Sequence, residues 1–133
     1  MTSPSRRIVV TAAVIRRGES YLVTRRLSGT HLAGYWEFPG GKCDDDEALD
    51  TCLAREIAEE LDCSVRVGVE LHSVSHEYAD RIVELHFFEC DLLAEPRPVL
   101  GQEMRWVPRQ DLGSLEFPPA DADLIELLRG RDR

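Results

Sequence analysis

The chain has 133 residues, of which 43% are hydrophobic and 31% charged, and its formal net charge is −9. This composition is ordinary for a soluble globular protein, so we expect a single domain over residues 1–133, located in the cytoplasm. The acidic balance excludes the basic footprint that duplex nucleic acid or an anionic membrane requires, and we expect stable binding to neither.

The first 25 residues predict a flexible start followed by a β-hairpin. Residues 1–7 are mostly polar and are expected to be flexible. Residues 8–16 and 21–25 are apolar and rich in β-branched side chains, and Gly18 between them supplies a turn. The first apolar run is followed by more arginine and by no clear cleavage site. It therefore predicts a buried strand rather than a signal peptide.

A loop over residues 27–35 and a short extended segment over residues 36–38 lead into a Pro-Gly-Gly sequence. A helix is predicted behind it, with Asp44 and Glu47 as a capping box. Its apolar residues recur every four positions and should face the core: Leu49, Leu53, Ile57 and Leu61. Asp62 is expected to end this helix, because aspartate tolerates left-handed backbone better than most residues.

The second half of the chain predicts three strands, at residues 65–77, 81–92 and 104–107, and a second helix over residues 120–129. Three leucines of that helix should face inward: Leu124, Leu127 and Leu128. Strands flanked by two helices, with unequal connections, predict a mixed sheet in an α/β layer structure. The cysteines show no C-x-x-C pair and no zinc spacing, and all four are expected to be reduced thiols: Cys43, Cys52, Cys63 and Cys90.

Three acidic residues of the first helix point to a metal site. Glu56, Glu59 and Glu60 stand at i, i+3 and i+4, so on a helix of about 3.6 residues per turn they share a face and repel each other. A divalent cation among them would relieve that repulsion, and Mg²⁺ prefers hard oxygen ligands shared with substrate phosphates. Taken alone, such a run is more often a solvated helix face.

The acids belong to a longer pattern. Behind Gly41, the chain carries an acid six residues on, then an Arg-Glu pair, an apolar residue and a Glu-Glu pair: Glu47, Arg55, Glu56, Ile57, Glu59 and Glu60. This pattern resembles the Nudix box, from which only the last glycine and the last apolar position depart, being Asp62 and Cys63 here. The resemblance implies an α/β/α sandwich on a mixed sheet, with the box forming a loop-helix-loop.

The resemblance also implies roles for individual residues. Matching positions hold Mg²⁺, for which Mn²⁺ substitutes, and would here be Glu56, Glu59 and Glu60, with the Gly40 carbonyl and Glu47 in or beside the same cluster. Glu56 is also a candidate general base, and Arg55 would orient a neighbouring carboxylate. A further acid from a later loop is often recruited, for which we choose Glu103; a plain surface acid is the alternative. Lys42 and Arg26 are candidates to contact phosphates.

Segments outside the box are similar to the MutT-type branch of the family: WEFPGGK at residues 36–42 and FPPAD at residues 117–121. In that branch the residue matching Asp121 reads the base and the arginine matching Arg81 assists. Glu37 could add an acceptor and Phe38 could stack on the base. The alternatives are a helix cap for Asp121, a surface charge for Arg81 and a core position for Phe38.

We therefore predict a Mg²⁺-dependent hydrolase that converts a nucleoside triphosphate to the monophosphate and pyrophosphate. Asp121, when ionised, accepts hydrogen bonds only and suits the exocyclic amine of cytosine, as in the bacterial CTP pyrophosphohydrolase relatives within the branch. Oxidised purine triphosphates such as 8-oxo-dGTP are the alternative substrates. A non-catalytic nucleotide sensor on the same scaffold is the alternative from another class. We expect a monomer or a weak homodimer.

Overall fold

The computed structural model of the protein describes residues 6–130, and within them seven strands form one mixed sheet with a helix on each face. The strands are β1 (Arg6–Arg17), β2 (Ser20–Arg25), β3 (Trp36–Glu37), β4 (Gly40–Lys42), β5 (Val65–Glu77), β6 (Arg81–Leu92) and β7 (Met104–Pro108). The helices are α1 (Leu49–Leu61) and α2 (Ala122–Arg129), and 3₁₀ turns occupy Arg109–Ser114 and Pro119–Asp121. Among these residues no helix is long and apolar enough to cross a membrane.

The central strand of the sheet is β1, and it positions the double glycine. The strands are ordered β3-β2-β1-β6-β5, with β4 beside β1 and β7 beside β2. β1 runs parallel to β6, with Val10 opposite Leu85, whereas its pairings with β2 and β4 are antiparallel. The hairpin with β2 uses one end of β1, so the other half is free to pair with β4. Gly40 therefore lies opposite Ala12, in the middle of the sheet.

Two apolar layers hold the helices against the sheet. Inward residues of α1 are fully buried against one face, as their spacing predicted: Leu53, Ile57 and Leu61, with Ala13, Ile15, Leu22, Phe88 and Cys90 of the sheet. α2 covers the other face with Leu124, Ile125 and Leu128, against Val14, Tyr21, Val23 and Phe87. The predicted α/β/α architecture is confirmed.

The second helix corrects one prediction. Leu127 was expected to face inward but is 43% exposed, and Ile125 is buried in its place. The helix begins at Ala122, because a 3₁₀ turn occupies the residues before it. A tighter turn there rotates the following helix relative to a regular one that starts at residue 120.

The helix ends and the first strand were predicted with mixed success. Asp62 ends α1 in left-handed backbone with φ of 51°, which confirms its predicted role. The capping box was wrong, because α1 begins at Leu49 with Ala48 as its cap. Glu47 does accept the Asp44 backbone N–H at 2.9 Å, but ahead of the helix. The expected flexibility of residues 1–7 is wrong for Arg6 and Arg7, which pair with β6; residues 1–5 lie outside the described residues.

Two of the cysteines also correct the sequence-based expectation. Cys43 and Cys52, predicted to be reduced, form a disulfide with their Cα atoms 5.2 Å apart. The pairing of β4 with β1 and the packing of α1 against that pair bring them together. Cys63 and Cys90 are free and buried, as expected.

Candidate active site

The double glycine allows α1 to lie directly against the sheet. A Cβ atom on Gly41 would overlap the carboxylate of Glu56, and one on Gly40 would overlap the backbone of Thr11. Only hydrogen fits at either position. The Gly40 N–H in turn donates to Glu60 Oε1 at 3.2 Å. The glycines therefore bring two carboxylates of α1 against the backbone of β4.

Arg55 organises the acids of the box. Its Nε and one terminal nitrogen bind the two carboxylate oxygens of Glu47 at 2.8 and 2.9 Å. The other terminal nitrogen donates to Glu56 at 2.9 Å and to Glu59 at 3.3 Å. The hydrogen bonds from Arg55 and from the Asp44 backbone lower the pKa of Glu47 to about 2, so Glu47 is a firm anchor for the guanidinium. The predicted orienting role of Arg55 agrees with this geometry.

The surroundings of Glu60 and Glu56 disfavour the charged form of both carboxyls. Burial and the neighbouring Glu37 carboxylate raise the pKa of Glu60 to about 8. Burial also raises the pKa of Glu56, although Arg55 opposes this. A cation relieves carboxylates whose charged form is disfavoured, and hard divalent cations take oxygen ligands. Glu56 and Glu60, with the Gly40 carbonyl and the more exposed Glu59, would hold such a cation.

A cleft of about 500 Å³ runs from this carboxylate cluster across the open face of β1 and β6. One end contains Gly40, Gly41, Glu56 and Glu60, and the walls include Arg26, Glu37, Phe38, Lys42 and Arg81. Asp121 also lines it. The structure therefore brings most of the predicted site residues around one space.

Asp121 is the most unusual polar residue of the cleft. It is only 5% exposed, and its side chain makes no capping bond to α2, which argues against the helix-cap alternative. Within residues 6–130 no hydrogen bond to its carboxyl is found. Burial, and next the charge of Glu37, raise the pKa of Asp121 to about 7. Its carboxyl lines the cleft, so a ligand in the cleft can supply the missing hydrogen-bond partner.

Phe38 and Arg81 are placed by aromatic neighbours. Phe38 is 3% exposed and stacks on Phe117 with ring centroids 5.4 Å apart, so it belongs to the core and to the cleft wall at once. The Arg81 guanidinium lies 5.3 Å from the ring centroid of Tyr78. Arg26 Nη1 donates to Glu37 Oε1 at 2.8 Å, which keeps one cation in the lining of the cleft.

Four predicted residues stand apart from the cleft lining: Glu47, Arg55, Glu59 and Glu103. Glu59 is exposed beside Arg55, which donates to it at 3.3 Å. Glu47 and Arg55 lie behind Glu56 and act on it through hydrogen bonds. Glu103 is not brought into the carboxylate cluster: it accepts from Arg105 at 2.9 Å and approaches Arg25 at 3.5 Å. Its catalytic role stays a prediction that the cleft does not support.

The sequence reasoning missed His31 and Tyr78, which also line the cleft. Both lie beside a predicted loop or turn, and no periodic pattern marks such positions. Tyr78 could have been noticed as an aromatic residue three positions before Arg81. His31 carries no comparable signal.

A NUDIX domain family model matches residues 10–127. The chain belongs to the Nudix family. The 8-oxo-dGTP diphosphatase of Haemophilus influenzae is 39% identical over 125 residues, which cover 91% of this chain and 90% of that protein. The CTP pyrophosphohydrolase of Escherichia coli is 33% identical over 120 residues, covering 90% and 89%. The crystal structure of a MutT protein from Methanosarcina mazei superposes with a TM-score of 0.83 at 27% identity, covering 96% of each chain.

The two departures from the Nudix box fit the fold of a Nudix domain. Asp62 adopts the left-handed backbone that a glycine would provide at the end of the Nudix helix. Cys63 is 6% exposed and packs in the layer beneath α1, as an apolar residue would. Neither change touches the carboxylates.

Proposed function

We propose that this Nudix hydrolase cleaves nucleoside triphosphates to the monophosphate and pyrophosphate, with Mg²⁺, and prefers cytosine nucleotides. Nudix nucleotide diphosphatase chemistry is common to the relatives of the chain. The observation that supports the substrate class is the buried, unpartnered carboxyl of Asp121, in the same cleft as the Glu56 and Glu60 carboxylates. A base at Asp121 and a polyphosphate at the glycines would fill the cleft together.

The hydrogen-bonding capacity of Asp121 suits cytosine in both protonation states. A neutral carboxyl donates one hydrogen bond and accepts another, which matches the N3 acceptor and N4 amine of cytosine. An ionised carboxylate still accepts from the N4 amine, which has two N–H groups. Because the pKa of Asp121 is raised to about 7, both forms are present near neutral pH. Phe38 and the apolar residues Val10 and Leu85 line the cleft where a base would lie.

The residues at the other end of the cleft bind and orient the phosphates. A bound divalent cation would supply charge neutralisation and help activate the attacking water. Glu56, which Arg55 contacts at 2.9 Å, would take a proton from that water. Lys42 and Arg26 line the cleft and offset the repulsion between an acidic protein and a polyphosphate. Water adds to phosphorus, the phosphoanhydride bond between the α- and β-phosphates breaks, and the monophosphate and pyrophosphate are released.

Oxidised guanine triphosphate is the second candidate substrate. The relative from Haemophilus influenzae, at 39% identity, is named for 8-oxo-dGTP. Oxidised guanine presents an O6 acceptor beside an N7–H donor, and a neutral Asp121 carboxyl matches that pair as well. An ionised carboxylate matches it less well, because the O6 atom repels it.

A substrate panel tests the proposal. The kcat/KM values for CTP, dCTP, 5-methyl-dCTP, 8-oxo-dGTP, dGTP and ADP-ribose are measured with Mg²⁺, following monophosphate and pyrophosphate release. Cytosine nucleotides should give the highest values; a higher value for 8-oxo-dGTP selects the second candidate. The Glu56→Gln variant tests catalysis itself. It should lose about 10²–10⁴-fold in kcat while still binding nucleotide, whereas a sensor would show no turnover to lose.

A further inference from the structure

The disulfide between Cys43 and Cys52 lies against the machinery that orients Glu56. The two sulfur atoms and one carboxylate oxygen of Glu47 all lie within 4.8 Å of one another. Glu47 holds Arg55, and Arg55 holds Glu56. Two side chains, Glu47 and Arg55, therefore connect the crosslink to Glu56, the proposed proton acceptor.

The fold has no evident need of this crosslink for its stability. Two apolar layers pack both faces of the sheet, and small domains that depend on disulfides usually lack such cores. The closed loop is also short, with a sequence separation of 9, and short loops gain least from crosslinking. A role other than general stability is required to explain its position.

The two sulfur atoms differ in access, which determines how the bond can be opened. Cys43 retains 9% of its surface, whereas Cys52 is fully buried in α1. Cys43 is the more accessible of two buried cysteines, so an outside thiolate attacks the Cys43 sulfur when the loop opens and expels the Cys52 sulfur as the leaving group. The Thr11 hydroxyl, itself fully buried, lies 3.2 Å from Cys52 Sγ and can donate to the thiolate as it forms.

Opening the bond must move the loop that carries Glu47. Bonded sulfur atoms stand about 2 Å apart, and separated thiols cannot remain at that distance. Cys52 is held in α1 against Thr11, and the Cys43 N–H donates to Val9 O at 2.8 Å, so the displacement falls on the Cys43 side chain and on residues 44–48 behind it. The Glu47 carboxylate shares that space, and its two-point contact with Arg55 is sensitive to small shifts.

We propose that Cys43 and Cys52 form a reversible disulfide, exchanged with dithiols, whose state sets the position of the Glu47–Arg55 pair and thereby the turnover of the site. In the exchange, a dithiol thiolate attacks the Cys43 sulfur and the Cys52 thiolate leaves and takes a proton. The second thiol of the reductant then attacks the mixed disulfide and releases Cys43. The reductant ends as a disulfide and the protein gains two thiols. The effect on turnover rests on the proposed function; the effect on the loop does not.

The test uses the full chain, oxidised with glutathione disulfide or reduced with dithiothreitol. Thiol counting under denaturing conditions should give two thiols in the oxidised form, at Cys63 and Cys90, and four in the reduced form. Reduction should speed amide hydrogen exchange at residues 44–47. It should also lower kcat roughly tenfold with little change in KM, since displacements of about 1 Å can cost up to about a hundredfold. Reoxidation should restore both.

Matched variants isolate the pair. The double variant Cys43→Ala, Cys52→Ala should behave like the reduced protein under either condition, and Cys63→Ala, Cys90→Ala should keep the full response. Four thiols under all oxidising conditions, equal exchange and kcat in the two forms, or a response that persists without Cys43 and Cys52 would each overturn the proposal. If neither form cleaves any nucleotide, the proposed function fails, and the exchange of residues 44–47 still decides this inference.

Discussion

Arg55 binds both carboxylate oxygens of Glu47, at 2.8 and 2.9 Å, and the same guanidinium contacts Glu56 at 2.9 Å. A planar guanidinium group whose Nε and Nη2 atoms are both hydrogen-bonded has little freedom to rotate. Glu47 therefore determines the position of Arg55 Nη1, which contacts Glu56. Glu47 thus acts on the cleft without lining it. Its strongly lowered pKa, to about 2, keeps this anchor charged at every pH where the protein would work.

The substitution Glu47→Gln should lower kcat by about ten- to a hundredfold, because one of the two oxygens that accept from the guanidinium becomes an NH2 group, which can only donate. Steady-state kinetics with the preferred nucleotide measure this. The matched control is Asp44→Asn: Asp44 Oδ2 lies 3.8 Å from Arg55 Nε and its side chain is 77% exposed, so the change should stay within about twofold. Equal losses of kcat in the two variants would mean that the negative charge near Arg55 matters and that the two-point contact with Glu47 does not.

The close approach of Gly41 to Glu56 gives a second prediction. In Gly41→Ala the new methyl group would overlap the Glu56 carboxylate, and the carboxylate or the backbone of β4 must move. We expect a loss of kcat on the order of a hundredfold and a stability cost of about 1–3 kcal/mol. Kinetics and urea denaturation measure the two effects. Gly130→Ala is the control, since a Cβ there meets its nearest neighbour at an ordinary 3.5 Å.

Local signals in the sequence predicted those parts of the fold that depend on neighbouring residues. The bounds of β5 and β6 agree with prediction, because polar residues and a turn mark both ends. The core face of α1 follows from a four-residue spacing that needs no tertiary information. The end of α1 at Asp62 was also predictable, because aspartate tolerates left-handed backbone.

The features that escaped prediction depend on contacts between distant segments. The parallel pairing of β1 with β6 joins residues more than seventy positions apart, and no periodicity within either strand encodes it. That pairing brings Val10, Leu85 and Arg81 to one cleft. The Cys43–Cys52 contact similarly requires β4 to lie beside β1, and a three-residue strand has too few residues to show alternation.

The raised pKa of Asp121 makes substrate preference depend on pH. Above its pKa of about 7, which burial and the charge of Glu37 produce, the carboxyl loses its donor. Cytosine should tolerate that loss better than oxidised guanine, because one of the two N–H groups of its amine points away from the repelling N3 atom, whereas the N7–H of oxidised guanine lies beside the repelling O6 atom. The ratio of kcat/KM for dCTP over 8-oxo-dGTP should therefore rise roughly fivefold between about pH 6 and about pH 8.

The variant Asp121→Asn should remove this dependence. An amide keeps one donor and one acceptor at every pH, so the ratio should become flat and shift toward 8-oxo-dGTP at the alkaline end. Asp123→Asn, at an exposed position of α2, is the control and should leave the wild-type profile intact. A profile that keeps its inflection in Asp121→Asn would assign the titration to another group.

His86 should make the stability of the protein fall as pH rises. Its Nδ1 lies 2.7 Å from Glu70 and its Nε2 lies 2.7 Å from Glu84, which also pairs with Arg7. Burial disfavours the charged ring, but the hydrogen bonds to the two carboxylates outweigh it and raise the pKa of His86. A raised pKa in the folded state means that the stabilisation is complete below about 6.5, the unfolded value, and is lost as pH rises through the folded value.

The urea midpoint of the wild type should therefore exceed that of His86→Gln by the largest margin near about pH 6, and the margin should shrink toward about pH 8.5. His76→Gln, an exposed substitution on β5, is the matched control for replacing a histidine of the sheet. A constant margin for His86→Gln would mean that the ring is neutral in the folded protein and that only one of the two carboxylates can accept a hydrogen bond from it.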